Sequence, residues 1–178
     1  KDPNWSYDGK TIYFSSDRNS YKKIDDAPSG FKIYKHDYSQ TEIYALDLET
    51  NQVKRITDMP TSNEINPIVS SDGSQILFIS DVNGINNIFR KKLIFSSDDT
   101  FVNDIKDIKP EPVTNSQSGL YQLSASIDGK KLAFSSLYKS SFNIFLLNNA
   151  FDSELDVKEL PVTKFRQGML DLDAPPLG

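Results

Sequence analysis

A four-residue pattern, Ser-x-Asp-Gly followed by an apolar stretch, occurs three times in this chain and constrains its fold more than any other feature. It stands at Ser6-Tyr7-Asp8-Gly9, at Ser70-Ser71-Asp72-Gly73 and at Ser126-Ile127-Asp128-Gly129. Three residues past each glycine comes Ile12, Ile76 or Leu132, and five past it comes Phe14, Phe78 or Phe134. A serine then follows at Ser16, Ser80 and Ser136. Asp-Gly between apolar segments signals a hairpin, because a tight primed turn needs positive φ at its central residues. The recurrence of the whole unit makes this an internal repeat.

The rest of each unit follows in order. In the first, Pro3-Asn4-Trp5-Ser6 and Thr11 to Ser16 flank the turn, and Glu42 to Asp47 and Val53 to Thr57 complete four predicted strands. The second runs through Asn66 to Ser70, Gln75 to Ser80, Asn87 to Arg90 and Glu111 to Thr114. The third runs through Gln122 to Ser126, Lys131 to Ser136, Asn143 to Leu147 and Leu160 to Thr163. Aligned columns read Ile43/Ile88/Ile144, Tyr44/Phe89/Phe145, Ile56/Val113/Val162 and Thr57/Thr114/Thr163. Locally joined strands of this kind form antiparallel meanders.

Pro112 and Pro161 fall in the fourth strands, which therefore belong at sheet edges, since proline cannot donate to a ladder. The second strands are apolar on both faces: Ile12 and Phe14 oppose Tyr13, and Ile76 and Phe78 oppose Leu77. Sheets covered on both sides are expected where similar sheets stack around an axis, as in a β-propeller. The expected fold is all-β, three four-stranded antiparallel blades of a larger ring. The blades are 1–58 with a long insertion at 18–40, 59–115 and 116–163, and the repeat is expected to end there, leaving 164–178 as an extended linker or tail.

The pattern Pro-x-Trp-Ser-x-Asp-Gly-Lys-x-Ile-x-Phe-x-Ser-Asp, then Ile-Tyr-x-x-Asp-Leu, then a hydrophobic-Thr ending, resembles the TolB-like propeller repeat. The first unit carries it best, through Trp5, Asp8, Gly9, Lys10, Phe14, Asp17, Ile43, Tyr44, Asp47 and Thr57. Where that family usually has proline before the Asp, this chain has Tyr7, Ser71 and Ile127, and the third unit has Leu123 and Ala125 in place of Pro and Trp. The resemblance implies a protein of a Gram-negative-type cell envelope, periplasmic or associated with the outer membrane. It implies a module of a larger protein or complex, and no catalysis in the propeller itself.

Composition narrows the partners. A formal net charge of -5 argues against a phosphate-tracking nucleic-acid groove. The absence of cysteine removes disulfides, thiolate metal sites and a cysteine nucleophile together. No apolar run approaches the roughly 20 residues of a membrane helix. The chain starts at Lys1-Asp2-Pro3, almost inside a strand, which reads as a piece of a longer polypeptide. Asp81-Val82-Asn83-Gly84 has its glycine too early for a calcium loop and reads as a hairpin turn. Asp98, Asp99, Asp104 and Asp107 read as a solvated acidic loop. His36 is the single histidine and no Gly-x-Ser-x-Gly turn accompanies it, so neither a hydrolase triad nor a multi-histidine metal centre is expected. No catalytic residue, metal ligand or cofactor-binding residue is assigned, and no cofactor is expected. Asp8, Gly9, Asp72, Gly73, Asp128 and Gly129 are assigned as structural turns.

Phe14 and Ile43 are 29 positions apart, whereas Phe78 and Ile88, and Phe134 and Ile144, are 10 apart. The extra residues bring Tyr21, Lys22, Lys23, Phe31, Tyr34, Lys35 and Tyr38, a partner-binding insertion or a solvated hairpin extension. A second insertion, Lys91 to Lys109, is given no role. Propellers close with about 4–8 blades, so an arc of three leaves two sheet faces of roughly 330 Å² each. At about 25 cal/mol per Å² each face represents on the order of 8 kcal/mol, and faces of this kind mark interfaces. Further blades or a second copy are expected to cover them. The expected function is a non-catalytic scaffold binding other envelope proteins. The alternatives are the gating propeller of a prolyl-oligopeptidase-type serine peptidase, with its catalytic domain outside this chain, and a purely structural spacer.

Overall fold

Apolar residues alternating at period two dictate strands with two usable faces. The computed structural model describes residues 1–18, 32–35, 38, 40–94 and 108–173. Strands β1 (Asn4–Trp5), β2 (Thr11–Ser16), β3 (Glu42–Asp47) and β4 (Val53–Arg55) form the first sheet in that order. Strands β5 (Glu64–Val69), β6 (Gln75–Ser80), β7 (Asn87–Lys92) and β8 (Glu111–Pro112) form the second. The third has β9 (Leu120–Ala125), β10 (Lys131–Tyr138) and β11 (Ser141–Asn148). Every pairing is antiparallel between neighbours, as three successive propeller blades require.

The sheets stack face to face through two cores. Tyr13, Ile43 and Ala45 of the first sheet meet Ile76, Phe78 and Phe89 of the second. On the opposite side of the second sheet, Ile68, Leu77 and Ile88 meet Leu120 and Leu132, with Phe134 and Leu147 packed against them. The central sheet is thus dry on both faces, as the alternation of Ile76 and Phe78 with Leu77 requires. Phe78 is fully buried, and removing a side chain of its size from water contributes about 2–3 kcal/mol.

The third blade departs from the expected four strands. Leu160–Thr163, expected at its outer edge, is not a strand; the third sheet has three, ordered β11-β10-β9. After β11 the chain crosses the second blade instead. Arg90 Nη1 donates to the carbonyls of Phe151 (2.5 Å) and Ser153 (3.0 Å), and Lys158 reaches Glu111 (3.1 Å). Leu160 is buried in the core between the first two sheets, and Thr163 N–H donates to the Asn83 carbonyl at 2.9 Å. An apolar seat and carbonyl partners for a buried arginine are what this path gains.

Residues 164–173 also differ from the expected extended linker. They form helix α1 (Lys164–Asp173), with Thr163 Oγ1 accepting from Arg166 N–H at 3.2 Å as its cap and Gln167 reaching Asp171 one turn on. A threonine cap followed by Lys, Phe, Arg and Gln, with Met and Leu after Gly168, favours a helix locally despite the glycine, and Pro175-Pro176 comes only after it. No helix among the described residues is long and apolar enough to cross a membrane.

Candidate binding surface

The repeat's turns are built identically. Each serine hydroxyl donates to its aspartate Oδ1 at 2.6 Å: Ser6 to Asp8, Ser70 to Asp72 and Ser126 to Asp128. The same oxygen accepts the N–H of Lys10, Ser74 or Lys130 at 3.0–3.1 Å. The serine Oγ in turn accepts from Thr11, Gln75 or Lys131 N–H at 2.9 Å. These bonds favour the ionised form, and the serine hydroxyl foremost holds each aspartate below the usual carboxylate range. The geometry corrects the expected two-residue primed turn. Only the glycines have positive φ (72°, 72° and 69°), and each glycine N–H closes on the serine carbonyl three residues back. The turn is a wider loop in which aspartate works as an acceptor.

The innermost strands β1, β5 and β9 run beside one another and share a second device. Asn66 and Gln122 have positive φ (52° and 59°) at breaks in the β5–β6 and β9–β10 registers, and Asp2, in the same column, has φ 51°. In the second and third blades two residues oppose one phenylalanine, Asn66 and Pro67 facing Phe78, and Gln122 and Leu123 facing Phe134, which is a β-bulge. Ser15 Oγ donates to Asp2 Oδ2 (3.2 Å) and Ser135 Oγ to Gln122 Oε1 (3.1 Å). Asn4 Oδ1 accepts Val69 N–H (3.3 Å), tying neighbouring inner strands together. Along these strands lies a recess of about 400 Å³ lined by Asn4, Trp5, Asn66, Ser124 and Ile127 among others. Trp5 is 58% exposed at its margin, and Tyr7 and Ile127 are exposed beside it.

Sequence reasoning missed a third feature, a buried carboxylate pair where the first two blades meet. Glu42 accepts from Arg55 Nη2, Thr57 Oγ1 and Met59 N–H (2.8 Å). Glu64, fully buried, accepts from Ser62 Oγ (2.6 Å) and Ser80 Oγ (2.8 Å). Burial above all, and then the nearby Glu42 charge, push Glu64 up to about 9. Glu64 is therefore biased toward its protonated form, and its Oε2 is buried with no hydrogen-bond partner among the described residues. Lys91 Nζ donates to the Ile56 carbonyl (2.9 Å), and its desolvation pulls its pKa down. Among the described residues no group of three or more His, Asp or Glu is placed to hold a metal ion.

Of the insertion residues, Tyr34 and Lys35 lie in a single 3-10 turn (Ile33–Lys35), exposed, as is Tyr38. Lys32 Nζ sits 5.9 Å from the Tyr34 ring centre. Tyr21, Lys22, Lys23 and Phe31 lie outside the described residues, as do His36, Asp98, Asp99, Asp104 and Asp107. Gly84 has φ 92° and its N–H closes on the Asp81 carbonyl at 2.7 Å, the turn expected there.

No family model and no curated protein matches the chain. Solved structures do. A putative TolB from Agrobacterium tumefaciens is 21% identical with a TM-score of 0.54, over 82% of this chain and 44% of that one. TolB from Acinetobacter baumannii is 23% identical with a TM-score of 0.55, over 86% of this chain and 30% of that one. An oligogalacturonate lyase from Vibrio parahaemolyticus follows at 16% identity and a TM-score of 0.49, over 86% and 37%. At these identities the likeness to the two TolB structures is one of fold, and this chain spans less than half the length of either.

Proposed function

We propose that this chain is part of a non-catalytic, protein-binding propeller scaffold of a Gram-negative-type cell envelope, periplasmic or associated with the outer membrane. The fold shared with two TolB structures supports the class. The observation that carries the reading is that the third blade keeps open a face that the repeat uses for packing in the second. Leu77 and Ile88 face the third blade; of their columns there, Ala133 is half-buried and Ile144 is 81% exposed. Ile76 and Phe78 face the first blade; their columns there, Ile12 and Phe14, are half-buried beside the buried Tyr44. Further blades or a second copy complete the ring around the inner-strand recess. Other envelope proteins dock at the recess margin, at Trp5 and Tyr7, or on the insertion, at Tyr34, Lys35 and Tyr38. Large aromatic side chains suit such contacts because they bury much area at small entropic cost.

The test is a pull-down from an envelope extract with Trp5→Ala/Tyr7→Ala set against Tyr34→Ala/Lys35→Ala. Loss of a specific partner in one pair alone locates the surface. Retention of every partner by both variants contradicts binding at these surfaces.

A further inference from the structure

The third sheet ends at β11 with its outer edge open, and the segment that the repeat assigns to that edge sits on another blade. In the first two blades one device locks the outer strand. Ile56 N–H donates to the Ile43 carbonyl (2.7 Å) while Ile43 N–H donates to Thr57 Oγ1 (2.8 Å). Val113 N–H donates to the Ile88 carbonyl (2.8 Å) while Ile88 N–H donates to Thr114 Oγ1 (2.9 Å). Ile144, Val162 and Thr163 occupy the same columns. Yet Ile144 is 81% and Val162 46% exposed, and Thr163 is spent on Asn83.

The register extends well past Thr163. Residues 161–178 set against 112–129 coincide at Pro112/Pro161, Val113/Val162, Thr114/Thr163, Gly119/Gly168, Leu123/Leu172, Ala125/Ala174 and Gly129/Gly178. These coincidences run on past Thr163 through residues that form α1 here, where the aligned 115–124 are loop and β9. The offset is carried by a whole segment and not by Pro-Val-Thr alone.

We propose that Leu160–Thr163 has a second seat, as the fourth strand on the open edge of β11. The pairs Phe89↔Pro112 and Arg90↔Glu111 of the second sheet fix its register there: Phe145 opposite Pro161 and Leu146 opposite Leu160. Val162 N–H donates to the Ile144 carbonyl, and Thr163 Oγ1 takes the Ile144 N–H. Residues 149–159 make the connection, longer than the 48–52 loop that does the same in the first sheet. The segment leaves the second blade, and α1 gives up its Thr163 cap. Gly84 marks the seat seen here: a Cβ on it would come within 2.9 Å of Arg166 Cβ and closer still to Thr163 Oγ1.

The chain has no cysteine of its own, so Leu146→Cys/Leu160→Cys reads the second seat cleanly. Mild oxidation followed by intact mass is expected to show both thiols lost to an intramolecular disulfide. Amide exchange of Ile144 in the unaltered chain is expected to be about twofold slower than in Thr163→Val, which lacks the hydroxyl acceptor, as when half of the chains hold the second seat. Gly84→Ala, which crowds Thr163 off the second blade, is expected to slow Ile144 further. Free thiols, or Ile144 exchanging at the unprotected rate and unchanged by either substitution, overturn the proposal. Should the double variant fail to fold, the exchange measurement decides alone.

Discussion

Gly73 sits at φ 72° with nothing within 4 Å of where a Cβ would stand, so its cost on substitution is backbone strain alone. Gly73→Ala is expected to lose about 1 kcal/mol in urea unfolding, with the fold intact. The titrating residues give two opposite signatures. Glu64 has its folded pKa raised to about 9, so the native state holds a proton the unfolded chain releases above its ordinary value of 4.5. Its contribution is whole below that value and is lost progressively as pH rises toward 9. Glu64→Gln, which keeps the shape and cannot ionise, is expected to flatten this decline in urea midpoints measured from pH 5 to 9. Asp8, Asp72 and Asp128 are depressed instead, so their contributions stand at neutral pH and are lost as pH falls below the carboxylate range.

At the scale of the strand, each outer strand hangs on one threonine. Thr114→Val removes the acceptor for Ile88 N–H and strands a buried donor; a loss of about 1–3 kcal/mol is expected. Thr57→Val is expected to cost more, since Thr57 also donates to Glu42. Strands β2, β6 and β10 were legible because alternating apolar residues and a turn are local signals. The bulges were legible in principle, as Asn66-Pro67 pairs a residue tolerant of positive φ with one that needs no ladder donor. Glu42 and Glu64 were not, because a charged residue at a strand start reads as solvated until the neighbouring sheet that buries it is known. The path of Leu160 was not legible either. Its burial depends on a core between two other blades, and nothing near it in the chain encodes that contact.

At the scale of the molecule, three stacked sheets bury two interfaces and leave a face of the same kind open on the third sheet. Phe142 and Leu146 are 68% and 67% exposed on the free face of the third sheet, with Ile144 between them. Side chains that the second sheet buries at Ile88 have no business in water on a finished surface. The most direct test of the arc is sedimentation of the chain across a concentration series, beside Ile144→Asp/Leu146→Asp. The account predicts that the unaltered chain self-associates as concentration rises, and that the double variant, folded by circular dichroism, stays a monomer of 20.1 kDa. An unaltered chain that remains monomeric at every concentration would contradict it, because the face would then need no cover.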